Sequence, residues 1–393
     1  LLLYVLVFPI DFAAGNACID IALIVSGLRL WRYPQPLQIN RGVLLLMGAY
    51  GAVLFLSAFR ADHLSQGILQ AFRAIYYMLA PFLLAHLFIP AQKRFFYLGL
   101  MLSSVLVSSL YACWQGLHGA IRAGGFITYL ELSGNLSQLL PVLALLLVEK
   151  TSDKYDLGIR ALAAASLLIC TTALILTGTR GAWLAVGFAV LIYLLHYILS
   201  ASARKSYRVF SLLLLLLVTS SVAFSYLPAA QKRMASLANP SDYSVVTRFA
   251  MWTSASRMIA DHPVMGVGLS NYADRYLNQY FNSEPWEKAA KNHDGLTHKH
   301  PHNSFLYLLA ETGVIGFFCY LLLMGYVFWH FICMWHKGSP HTKFFAKMAL
   351  LLLTSYLAFA MTENLIFGMY SAMQSFWFLL GMLWLPYEGR MNG

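Results

Sequence analysis

Of 393 residues, 59% are hydrophobic and only 11% charged, and the mean hydropathy is +0.64. A soluble domain carries about 25% charged residues, so composition excludes a soluble globular protein and points to the bilayer. The net charge of +11 does not call for nucleic acid, because in a membrane protein lysine and arginine orient the helices.

A helix needs about 20 apolar residues to cross a bilayer. Twelve candidate spans follow in chain order, near 1–12, 15–31, 42–59, 69–90, 95–117, 134–149, 157–178, 181–200, 208–228, 303–335, 344–363 and 369–386. The first looks clipped, since the sequence opens inside an apolar run at Leu1, and no cleavable signal peptide is visible. The tenth exceeds a simple crossing, so its first turns are expected to stand above the membrane or to tilt. Cys18, Cys113, Cys170, Cys319 and Cys333 lie in or beside these runs with no C-x-x-C spacing, which speaks against a disulfide framework or a zinc ribbon.

Charge assigns the sides. Alternate connections hold Arg29, Arg32 and Arg41; Lys93 and Arg94; Lys150, Lys154 and Arg160; Arg204, Lys205 and Arg208; Lys337, Lys343 and Lys347; and finally Arg390. The opposite short connections hold only Arg60, Arg122 and Arg180. The positive-inside rule places the first set in the cytoplasm. The expected fold is therefore an all-α polytopic membrane protein with about 12 spans, and in a bacterial inner membrane its outer side is the periplasm. Residues 1–228 carry nine spans, 229–302 form one long periplasmic loop, and 303–393 carry three spans and a short cytoplasmic tail. Arg180, the loop and His302 then share the periplasmic face and can form one site.

Arg180 stands in "LTGTRGAWLA" between two apolar runs. A charge at a membrane edge is a functional hypothesis by default, set against an arginine that snorkels to headgroups. Its planar fork of donors suits phosphate oxygens. In the loop, Arg248, Trp252 and Arg257 recur at helical spacing, so an amphipathic helix is expected over about 245–260. "DHP" ends it, and "GVG" makes a turn that is either a phosphate nest or a plain loop.

His298, His300 and His302 alternate in "HKHPHNSFLYLLAETG", and three readings stay open. A metal site would add Asp294 or His293 as further ligands. However, the histidines bracket a lysine and a proline, and the chain has no D-x-D to hold a divalent ion against a diphosphate. A polar collar needs no chemistry. A general base has local geometry behind it. Pro301 suits a helix's first turn, Asn303 or Ser304 can cap it, and His302 would stand at a helix N-terminus that favours anions. Gly313 follows eleven residues later, about three turns on, where it would let a neighbouring helix pack closely. Glu311 falls on the opposite face and is expected to serve structure. Arg73, Arg122, Glu363 and Asn364 lie toward the same side and read first as caps, snorkels or ion pairs. His196 and His330 read as packing residues.

Taken together, "TRGAWL", "RFAMW…DHPVMGVGLSNY" and "HPHNSFLYLLAETGVIG" resemble the O-antigen ligase family, within a wider superfamily of ligases and polymerases. The resemblance rests on Arg-x-x-x-Leu at an external helix end (Arg180 to Leu184) and on His-[Asn/Ser/Gln], nine residues, then Gly (His302, Asn303, Gly313). It implies a GT-C-like, metal-independent, inverting glycosyltransferase without a cofactor. The donor would be O-antigen polysaccharide on undecaprenyl diphosphate, and the acceptor a sugar hydroxyl of lipid A–core. On that reading His302 is the base, and Arg180 and Arg248 meet the diphosphate. Arg257, His300, Asn303, Arg73 and Arg122 are further candidates for substrate binding.

The nearest rival is an O-antigen polymerase, for which Arg257 and Gly268 enclosing ten residues is a partial signal. A protein O-oligosaccharyltransferase would be expected to extend beyond the last span with an external domain. A transporter would be expected to show internal repeats and polar residues at the midplane, whereas here the polar residues gather at one face.

Overall fold

A computed structural model describes residues 1–34, 40–149, 156–200, 231, 243–281 and 300–385. Among them the chain is helical throughout, with no strand. The helices are α1 (Leu2–Val7), α2 (Phe12–Arg32), α3 (Arg41–Ala58), α4 (Leu64–Phe88), α5 (Arg94–Leu117), α6 (Tyr129–Val148), α7 (Asp156–Leu176) and α8 (Arg180–Leu199). Then come α9 (Tyr243–Asp261), the single turn α10 (Tyr272–Arg275), α11 (Ser304–Lys337), α12 (Pro340–Ala360) and α13 (Tyr370–Leu383).

Eight of the described helices are long and apolar enough to cross a membrane: α2, α3, α4, α5, α6, α8, α11 and α12. The expected first span contains only a six-residue helix, and the expected twelfth is a 14-residue helix. The expected ninth span, 208–228, lies outside the described residues, as do Lys150, Lys154, Arg204, Lys205, Arg208 and Arg390.

Local chemistry sets many helix starts. Asp11 accepts from the amides of Ala13 and Ala14, Asn40 from Gly42, Thr128 from Glu131, and Ser339 from Thr342 with Pro340 at the first helical position. Each satisfies amides that a helix N-terminus leaves open. Helices α6, α12 and α13 form the centre, with α7 and α8 against α6, α4 against α13, and α3 against α11. α13 starts on a borrowed cap, because the Glu131 carboxylate on α6 accepts the amide of Ala372 at 3.0 Å.

Side-chain bonds distinguish the two ends of the bundle. At one end, Tyr326 reaches Asn40 at 2.8 Å, and Lys347, Tyr193 and Tyr197 gather on Glu149. At the other, the 57–62 turn, the 263–272 segment, the start of α11 and the end of α12 converge.

Helix α11 is broken where the sequence suggested close packing. Gly313 has φ 63° and ψ −168°, left-handed backbone inside an otherwise continuous helix. The break opens main-chain groups that must find partners, and the segment after α9 supplies them. The amides of Val267 and Gly268 donate to the carbonyls of Ala310 and Glu311 at 2.8 and 3.0 Å. In return, the amides of Val314 and Ile315 donate to Pro263 and Val264 at 2.9 and 3.4 Å. A Cβ on Gly313 would lie 2.3 Å from the Val264 carbonyl carbon, and one on Gly266 would lie 2.3 Å from that of Glu311. The expectation that Gly313 makes room for a neighbouring helix is thus corrected: it admits the backbone of the loop. The "GVG" turn is likewise spent on this exchange.

Candidate functional site

The site is built at the loop end of α11. Asn303 caps that helix, its side-chain oxygen accepting the amides of Phe305 and Leu306 at 3.0 Å. Pro301 lies before the helix rather than in its first turn, and its carbonyl accepts Trp252 Nε1 at 2.8 Å. Between them His302 adopts φ 48°, a left-handed conformation that a non-glycine residue holds only where its surroundings enforce it.

Glu363, just past α12, is the main enforcing group. Its Oε2 meets His302 Nδ1 at 2.7 Å, and its Oε1 accepts Arg248 Nη2 at 2.9 Å. The carboxylate is 5% exposed, so its charge needs a partner, and Arg248 provides one. Ser304 locks the backbone beneath, giving its hydroxyl to the Glu363 carbonyl at 2.7 Å and accepting the Leu365 amide at 2.8 Å. A neutral imidazole that donates Nδ1–H to Glu363 carries its lone pair, and so its basicity, at Nε2.

Arg180 is the first residue of α8. The next residue, Gly181, packs so closely on Thr362 that a Cβ would come within 2.0 Å of its hydroxyl. Thr362 immediately precedes Glu363, so Arg180 stands at the same end as the His302–Glu363–Arg248 set.

The other candidates divide. His300 packs on His302 with ring centroids 4.5 Å apart, and its Nδ1 faces the His302 amide at 3.4 Å. Arg257 gives Nη1 to the Tyr280 carbonyl at 3.0 Å, which ties α9 to the loop. Asn303 is spent on its cap. Arg73 lies beside the Tyr370 phenol, and Arg122 lies over the Tyr129 ring at 4.5 Å. His298, His293 and Asp294 lie outside the described residues. Among the described residues no group of three metal-ligating side chains converges.

Glu311 is fully buried. It accepts the Tyr272 amide at 3.1 Å and Gln70 Nε2 at 3.3 Å, fastening α10 and α4 to α11. Burial holds the Tyr272 phenol well above its ordinary range, so it remains a donor, and it gives its proton to the Met251 carbonyl at 2.8 Å. Glu363 is the residue that sequence reasoning underweighted. The signal was present: a carboxylate ends an apolar helix on the side where Arg180 and His302 were already placed.

Apolar spans that open onto a buried carboxylate flanked by imidazole and guanidinium define a polytopic membrane protein with a charged site at its helix ends. The Arg180–Leu184 and His302–Gly313 pairs fall within one stretch, and that stretch, residues 165–321, matches the O-antigen ligase family model. Over that stretch, well under half of its length, the chain is similar to the O-antigen ligase family. Glu363 lies beyond the matched residues. No curated protein matches the chain.

Proposed function

We propose that the chain is an O-antigen ligase, an inverting, metal-independent glycosyltransferase of the GT-C-like membrane class. On this reading it works at the periplasmic face of the bacterial inner membrane. It moves polysaccharide from undecaprenyl diphosphate to a sugar hydroxyl of lipid A–core. The observation that carries this reading is the two-sided use of Glu363, which aligns a base with one oxygen and an anion-binding arginine with the other.

The acceptor hydroxyl gives its proton to His302 Nε2 as its oxygen bonds the donor's anomeric carbon. The bond from that carbon to the diphosphate oxygen breaks on the opposite face, and the electron pair leaves with the diphosphate. Arg248 and Arg180 meet the charge that develops there. Diphosphate is a good leaving group, so no general acid is required. Glu363 holds the imidazole in the tautomer that accepts at Nε2 and stabilises the imidazolium formed.

The test is reconstitution of purified protein with glycan on undecaprenyl diphosphate and lipid A–core, in EDTA, with His302→Ala and Arg180→Ala alongside. Joined product from the wild type alone supports the ligase. Longer chains on the donor lipid, with no product on lipid A–core, would make it a polymerase. Activity restored only by added metal would return the histidines to a metal site.

A further inference from the structure

A second cluster lies beside the first and takes no part in the mechanism above. Tyr77 on α4 and Tyr370 at the start of α13 face each other with ring centroids 4.8 Å apart, and Phe12 closes the group at 5.6 and 6.4 Å. Arg73, one turn before Tyr77, is exposed and lies beside the Tyr77 and Tyr370 phenols. An arginine edging an aromatic platform matches a phosphorylated sugar: the rings pack on the pyranose face, and the guanidinium takes phosphate oxygens.

Two chains of contact tie this cluster to His302. Gln70, three residues before Arg73 and so about 4.5 Å along α4, gives Nε2 to the Tyr307 hydroxyl at 3.3 Å. The Tyr307 ring lies 6.4 Å from His300 and 5.5 Å from Phe367. The connection from α12 to α13 runs from Glu363 through Phe367 to Tyr370. Arg180 starts α8, which packs on α12 and α6 and meets Thr362 at Gly181, whereas Arg73 and Tyr77 lie on α4, which packs on α13 and α3. An inverting transfer needs nucleophile and leaving group on opposite faces of the reacting carbon. With the diphosphate on the α8–α9 flank, the acceptor comes from the α4–α13 flank.

We propose that Arg73, Tyr77 and Tyr370 form a second substrate subsite, which takes the phosphorylated saccharide of the membrane-anchored acceptor and presents its hydroxyl to His302. This assignment rests on the proposed transferase reading for its direction, but its binding can be read without turnover.

The experiment uses the full chain in nanodiscs. Binding of lipid A–core, of phosphatase-treated lipid A–core and of undecaprenyl diphosphate is measured on a His302→Ala background, with and without Arg73→Ala. Acceptor and donor KM are measured on the Arg73→Ala, Arg73→Lys and Tyr370→Phe single variants. Arg73→Ala is expected to weaken lipid A–core binding and raise acceptor KM about tenfold, the loss of one charge-assisted contact. Donor binding and donor KM should stay unchanged, which also certifies the fold. Phosphatase-treated acceptor should not feel the substitution. Weakened donor binding, equal loss with the dephosphorylated acceptor, or no effect of Arg73→Ala on lipid A–core would each overturn the subsite. If the wild type joins nothing to lipid A–core, the ligase reading fails by itself. The binding arm still decides: Arg73-dependent capture of lipid A–core supports the subsite, and its absence removes it.

Discussion

Glu363 and His302 stand 61 residues apart in sequence and 2.7 Å apart in space, and the same carboxylate holds Arg248 on its other oxygen at 2.9 Å. One side chain thus sets the tautomer of the proposed base and the position of the proposed anion contact. Glu363→Gln should cut kcat as severely as loss of the base, about 10²- to 10⁴-fold, because an amide can turn its NH₂ toward Nδ1 and shift the imidazole proton to Nε2. Glu363→Asp should fall between. Transfer rates across a pH series check this, and a Gln variant that retained wild-type kcat would remove Glu363 from the mechanism.

Arg180 and lysine are not equivalent at this position, because only the guanidinium offers a planar fork to two phosphate oxygens. Arg180→Ala should lower kcat by about 10²- to 10³-fold, the usual cost of one transition-state donor, and Arg180→Lys should recover only part of it. A change confined to donor KM would make Arg180 a docking residue instead.

The loop exchange predicts where a methyl group is intolerable. Gly313→Ala and Gly266→Ala each force an L-residue into left-handed backbone and drive a Cβ into a facing carbonyl carbon 2.3 Å away. Each should destabilise the protein by about 1–3 kcal/mol from strain alone and depress transfer by displacing α9. Gly187→Ala, with nothing within 4 Å of the added Cβ, should leave both unchanged. Thermal unfolding in detergent, with activity at a permissive temperature, separates the three.

At the far end, Lys347 pairs with Glu149, their side chains only 14% and 11% exposed. Lys347→Met would take the ammonium away from the carboxylate, and breaking a buried pair costs about 3–5 kcal/mol. A lower unfolding temperature with unchanged kcat per folded molecule is expected. A fall in kcat at full stability would show that the far end is coupled to the chemistry.

Much of this was legible before the fold. Apolar run lengths located the long helices, and the alternation of basic residues put Arg180 and His302 on one face. Helical spacing of Arg248, Trp252 and Arg257 anticipated α9, observed as Tyr243–Asp261. What stayed hidden depends on long-range partners. Glu363 at the end of an apolar helix looks like a cap until His302 and Arg248 are seen on it. Gly313 inside a helical pattern looks like a packing notch, because no local rule says that Val264 will bring its own backbone there. Glu131 caps α13 across 241 residues, a pairing no window on the chain contains.

The exchange at Gly313 also limits how the site can open. The outer turns of α11 carry His302, the segment that follows α9 is laced into them main chain to main chain, and α9 carries Arg248. These pieces are therefore coupled, and because Glu311 also ties them to α4 and to the 57–62 turn, an opening on that side must break the Gln70 and Ser57 bonds to Glu311. The proposed proton acceptor and its arginine, both held on Glu363, stay in register with each other through any such change.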